Sequence, residues 1–278
     1  MRKKRFHKLA VGSLILAIGV LSYFQIPEIK IDSIYKFAYN KLFTNKTDNI
    51  NGYVFDKTFT LDILENNKSL EKYTAISLDD IPTYNGDASV IINKNIPFFK
   101  DEEITTKEFE KYSSLDKSGR CTQAYLNVSP KTMPTEERGS IGNIRPTGWD
   151  YNGKSNNNKY PDLIEDRYIY NRCHLAAFCL SGENDNKENL ITGTRYMNLA
   201  MLPYEEKVAK YVEETNNHVL YRSTPIFEDD NQIASGILIE AYSVEDKGKG
   251  IQFCVYCYNV QPGITINYKT GENGKSSK

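Results

Sequence analysis

The chain carries no excess of charge of either sign: 35 Lys and Arg stand against 36 Asp and Glu, a net charge of −1 over 278 residues. Bulk charge therefore gives no nucleic-acid signal, and any surface for a polyanion must be a local basic cluster. Histidine is scarce, with three residues, so few positions can move protons with an imidazole near neutral pH. The five cysteines (Cys121, Cys173, Cys179, Cys254 and Cys257) are odd in number, which excludes a fully paired disulfide framework in a monomer. Cys254 and Cys257 form a C-x-x-C, but no second pair exists to complete a zinc site. They lie in a strand-like aromatic run, where residues three apart point to opposite faces, and buried structural thiols are expected. No internal repeat or low-complexity tract is present.

What is there reads as an ordinary globular chain, 40% hydrophobic and 26% charged. The 20 tyrosines and 12 phenylalanines favour β-rich packing. The N-terminus stands apart. Met1–Lys8 is basic, and Leu9 to Phe24 is uncharged and apolar. This run falls short of the ~20 residues of a spanning helix, although Gln25 and Ile26 extend it. No small-residue cleavage site follows. An uncleaved signal-anchor over residues 1–26 is expected, with the remainder outside the cytoplasm, or secreted if the segment is removed. Residues 27–77 read as an extracytoplasmic spacer and residues 78–278 as the folded domain.

Within that domain, strands are expected at Ala88–Asn93, Cys121–Val128, Leu190–Thr194, Val219–Phe227 and Ile233–Val244, with the last ones between Gly250 and Ile266. Thr105–Tyr112 reads as a short helical segment, and Pro134–Trp149 as a loop punctuated by Gly and Pro. The long helical candidate is Leu202–Thr215. Mostly strands with one strong helix implies an α+β domain.

His7 lies in the basic leader, and His218 is expected to meet the last turn of the helix. His174 has different company. Tyr168-Ile-Tyr-Asn-Arg-Cys-His174 runs from a strand into polar residues; the loop Ser181–Asn189, the strand Leu190–Thr194, Asn198 and the helix follow. Phosphodiester hydrolysis needs a base to deprotonate water and a cation to neutralise charge on the phosphate and leaving oxygen. An imidazole suits the first task. A hard cation that keeps most of its waters needs few oxygen ligands, and the Asn198 amide could be one. Glu205 lies seven residues on, about two helical turns. Pro203 fits a first turn best, which would leave Asn198 just before the helix.

Asn171-Arg-Cys-His174 resembles the D-R-G-H motif of the DNA/RNA non-specific endonucleases of the ββα-metal superfamily. The stretches PTEERGSIGNIRPTGW, YNRCHLAAFCLSGEN, NLITGTRYMN and YNVQPGITINYKTGE are similar, in the same order, to the secreted or surface DNases of Gram-positive bacteria. The resemblance runs from about residue 78 to the C-terminus. It implies a central antiparallel sheet with a ββα-metal motif at its edge. It further implies His174 as general base, Asn198 as direct ligand of a single Mg²⁺ (Mn²⁺ as substitute), and Glu205 holding water in the metal's shell. Asn189 would support the site, Arg138 in preference to Arg145 would contact the scissile phosphate, and Arg172 would lend support from behind. The substrate would be DNA, with RNA open, bound through its phosphates with little sequence preference, and the products would carry 5′-phosphates. No protein partner can be inferred. Asn171 and Cys173 depart from the motif's Asp and Gly. The Asn198–Glu205 stretch is one residue short, which leaves Glu205 and Glu206 as alternatives. A catalytically silent DNA-binding surface protein of the same fold is the alternative function.

Overall fold

The structure is a computed structural model that describes residues 76–164 and 168–277. The expected anchor, and all of the spacer up to residue 75, lie outside the described residues. Among the described residues no helix is long and apolar enough to cross a membrane.

Among the described residues twelve strands and two α-helices follow in order: β1 (Ser89–Ile91), β2 (Phe109–Tyr112), β3 (Ala124–Val128), β4 (Asp150–Tyr151), β5 (Lys154–Ser155), β6 (Tyr170–His174), α1 (Phe178–Ser181), β7 (Leu190–Thr194), α2 (Arg195–Thr215), β8 (Val219–Ile226), β9 (Gly236–Ser243), β10 (Gln252–Tyr258), β11 (Ile264–Ile266) and β12 (Asn273–Lys275). Six of them form the central sheet in the order β1-β10-β9-β8-β3-β2, every pair antiparallel. The architecture is α+β with a central antiparallel sheet.

Both faces of that sheet are covered, which is why β9 and β10 read as continuous apolar runs rather than alternating ones. Phe253, Val255 and Cys257 of β10 face the core shared with Val208 and Val212 of α2. Cys254, Tyr256 and Tyr258 face the opposite cluster, with Ile92 and Phe98 of the N-terminal segment. The C-x-x-C is thus split between two cores. All five cysteines are free, and burial pushes each thiol up, so they are inert packing groups. Arg222 forms a buried fork to Glu240 at 2.8 and 3.0 Å and meets Glu103 at 3.3 Å. Its guanidinium lies over the Phe99 ring.

Three expectations need correction. Residues 109–112, read as helical, form strand β2: Phe109 packs edge-on against Tyr125 of β3, and pairing along the sheet edge overrides local propensity. The long helix begins at Arg195, seven residues before the expected start, because Thr194 caps it by accepting from the Met197 N–H at 3.0 Å. Pro203 therefore sits inside α2 and Asn198 on it, not ahead of it. His218 does not meet the last turn of α2; its ring is paired with Glu245.

Strands β6 and β7 form their own two-stranded sheet, separate from the central one. Their register sets His174 opposite Leu190. With α2 following directly, they make a strand–loop–strand–helix unit.

Candidate active site

β6 ends at His174, and the chain beyond it is clamped by Asn189. The fully buried Asn189 side chain accepts from the Ala176 N–H at 2.8 Å and donates to the Ala176 carbonyl at 3.0 Å. The Asn189 carbonyl also accepts from the Leu175 N–H at 2.8 Å. Three hydrogen bonds thus fix the two residues after the histidine.

His174 is 8% exposed. Its Nε2 lies 2.8 Å from the Asn184 carbonyl oxygen. A carbonyl can only accept, so Nε2 carries the proton and Nδ1 keeps a free lone pair. Nδ1 in turn lies 3.5 Å from Nη2 of Arg138, a long contact by hydrogen-bond standards. Burial lowers the imidazole's pKa to about 4; the Asn184 carbonyl opposes the shift and Arg138 adds to it. The ring is therefore neutral at physiological pH.

Glu205 occupies a core-facing position of α2, in line with the buried Met201, Val208 and Val212, and is 7% exposed. Burial raises its pKa to about 8, Glu206 pushes it further up, and Arg138 pulls it down. Arg138 is thus close enough to act on both His174 and Glu205. Asn198, half-buried, precedes Glu205 by seven residues on the same helix, so the two share a face. Glu206 is only half-buried.

The other two candidate arginines, Arg145 of the loop and Arg172 of β6, point elsewhere. Arg145 pairs with Asp150 at 3.1 Å. Arg172 donates from Nε to the Ile144 carbonyl at 2.6 Å and from Nη2 to the Gly142 carbonyl at 3.0 Å, with its guanidinium 4.1 Å from the centre of the Trp149 ring. The structure therefore brings Arg138 to His174, with the Arg138 charge felt at Glu205 and Asn198 on the same helix face as Glu205. Asn189 and Arg172 stand behind them, holding backbone. A cavity of about 460 Å³, lined by Asn184, Gly139, Phe178 and acidic residues such as Glu110 and Glu137, adjoins this region. The Asn184 carbonyl was not foreseen, since a backbone acceptor leaves no mark on side-chain identity.

As donors for a cation, Asn198 and Glu205 offer hard oxygens, which suit Mg²⁺ or Mn²⁺ with its own waters. Among the described residues no group of three or more His, Cys, Asp or Glu side chains could hold a metal, so the donors do not compose a closed zinc site. A buried carboxyl pushed up to about 8 is also what a neighbouring cation would bring back down. The residues fit such an ion.

The family model for DNA/RNA non-specific endonucleases matches residues 101–245, just over half of the chain and every residue named above as a site candidate. The family match marks a nuclease. The chain belongs to the DNA/RNA non-specific endonuclease family. Among solved structures, NucA from Streptococcus agalactiae with magnesium ion bound superposes with a TM-score of 0.57 at 22% identity, over 67% of this chain and 86% of that one. The Sda1 nuclease with bound zinc ion matches with a TM-score of 0.53 at 25% identity, over 60% and 82% of the respective chains.

Proposed function

We propose that this protein is a divalent-metal-dependent endonuclease that hydrolyses the phosphodiester bonds of DNA without sequence preference, with His174 as general base. The observation that carries this reading is the hydrogen bond from Nε2 of His174 to the Asn184 carbonyl. It fixes the tautomer and leaves Nδ1 as a neutral acceptor beside Arg138. Nδ1 takes a proton from water as the water oxygen attacks phosphorus, the bond to the 3′-oxygen breaks in line, that oxygen takes a proton from solvent water, and the products carry a 5′-phosphate and a 3′-hydroxyl. Arg138 contacts the phosphate and stabilises the charge that develops on it. Asn198 and Glu205 would hold Mg²⁺, with Mn²⁺ as a substitute; when bound, the ion neutralises charge on the phosphate and the leaving oxygen. Asn189 and the Asn184 carbonyl set the angle of the ring. Magnesium in NucA supports the choice of ion. The basic leader and apolar run at residues 1–26 would place the enzyme outside the cytoplasm, held to the membrane by that segment.

Plasmid DNA incubated with the chain in Mg²⁺ or in EDTA, beside His174→Ala, tests the proposal. Degradation is expected in Mg²⁺ alone, and the variant should lose roughly 10²–10⁴-fold in rate. Equal cleavage by the variant would remove His174 as base. DNA binding without cleavage by the unaltered chain would make it a silent binder.

A further inference from the structure

The loop that carries Arg138 has no regular structure, and residues 135–140 are exposed, yet Arg138 must keep its place beside the His174 ring. Arg172 and His174 lie two residues apart on β6, so their side chains leave the strand on the same face. Both reach the same loop. His174 meets Arg138, while Arg172 holds the Gly142 and Ile144 carbonyls with two prongs of its guanidinium. The flat side of that guanidinium rests on Trp149. Trp149 is itself fixed: it is 4% exposed and packed with Tyr160, Tyr170 and Ile264, and its carbonyl accepts from the Asn156 N–H at 2.8 Å. The far side of the loop is tight as well. A side chain at Gly139 would come within 2.8 Å of the Asn184 amide nitrogen, on the residue whose carbonyl orients His174.

We infer that Trp149 and Arg172 are positioning residues for the reaction: the Trp149 ring and the Arg172 fork clasp the loop so that Arg138 is held at the His174 ring. Arg172 thus acts through backbone carbonyls and not on the phosphate. The inference rests on the reading of Arg138 as the phosphate contact. Its physical basis is that an Arg fork stacked on an aromatic face and bonded to two carbonyls has little freedom left. A shift of about 1 Å in a group that touches the reacting centre can lower a rate by as much as ~10²-fold.

The test uses the full chain with Trp149→Leu, Trp149→Phe and Arg172→Lys, each alone and combined with Arg138→Ala. Arg138–Gly139 is a tryptic site, whereas Arg145 is followed by Pro146, so limited trypsin digestion reads the loop at one bond independently of activity. Trp149→Leu and Arg172→Lys are each expected to speed cleavage at Arg138 several-fold and to lower kcat on plasmid DNA by roughly tenfold. Trp149→Phe, which keeps an aromatic face, should recover most of both. In the Arg138→Ala background the same changes should cost less than about twofold, because the group they position is gone. Unchanged tryptic cleavage at Arg138 would overturn the clasp. Losses of equal size with and without Arg138 would overturn positioning and make Arg172 an independent contributor. If the unaltered chain proves inactive on DNA, the proposed function fails, and the tryptic rates alone still decide whether the clasp exists.

Discussion

Replacing Glu205 by Gln should stabilise the metal-free protein at alkaline pH while removing its response to Mg²⁺. The carboxyl lies in the buried stripe of α2, and burial carries its pKa from 4.5 to about 8. Its folded pKa is raised, so the folded chain holds the proton that the unfolded chain has lost. Stability is then full below pH 4.5 and falls as pH rises towards 8, beyond which the deficit is constant. At about 1.4 kcal/mol for each pH unit, the deficit reaches roughly 5 kcal/mol, which relaxation and water penetration reduce to about 2–4 kcal/mol. Gln has nearly the same shape and no charge to bury. Urea unfolding in EDTA should therefore find Glu205→Gln more stable than the unaltered chain by ~2–4 kcal/mol at pH 8.5, and nearly equal to it at pH 4. Mg²⁺ should raise the midpoint of the unaltered chain and leave that of the variant in place. The reasoning is refuted if the variant is no more stable at pH 8.5, for the carboxylate would then already be compensated within the protein.

His174 sets the acid limb. Its folded pKa of about 4 lies below the ordinary 6.5, so the unfolded chain gains a proton first and stability falls as pH drops from 6.5 to 4. The full effect is about 3 kcal/mol, and a His174→Gln variant should show a flatter stability profile over that interval in EDTA. Asn189→Ala should leave the buried Ala176 N–H and carbonyl without their partners. A loss of ~2–4 kcal/mol in urea unfolding is expected, with reduced nuclease rate; a loss below ~0.5 kcal/mol would mean the backbone finds other partners.

Much of the scaffold is legible in local sequence. The strand Leu190–Thr194 was placed to the residue, and β8, β9 and β10 lie within the apolar runs that suggested them. Continuous apolar runs and β-branched content report directly on burial on both faces of a sheet. The start of α2 was misplaced because Pro203 is a strong local stop, whereas the cap at Thr194 is tied down by tertiary bonds. Its hydroxyl donates to the Val260 carbonyl at 2.7 Å, and its N–H donates to the Asn259 side chain at 2.8 Å. Strand β2 was misread for a related reason: four residues of an edge strand are decided by the partner they find, and Phe109 pairs with Asn127, 18 residues away in sequence — local propensity does not contain it.

The sequence by itself pointed to the family, to His174 as the candidate histidine and to the run of strand, loop, strand and helix that carries it. These features are encoded in residue type and order within about 45 residues. Only the tertiary structure decided which nitrogen of His174 is free, because that depends on a carbonyl ten residues on, brought back by the loop between β6 and β7. It also supplied the physical ground for the preference for Arg138 over Arg145, since both sit in one loop with equal charge and only folding gives Arg145 Asp150 and Arg138 the imidazole. Glu205 became distinct from Glu206 in the same way: neighbours in sequence differ by about 100° around a helix, and packing, not composition, buries one of them.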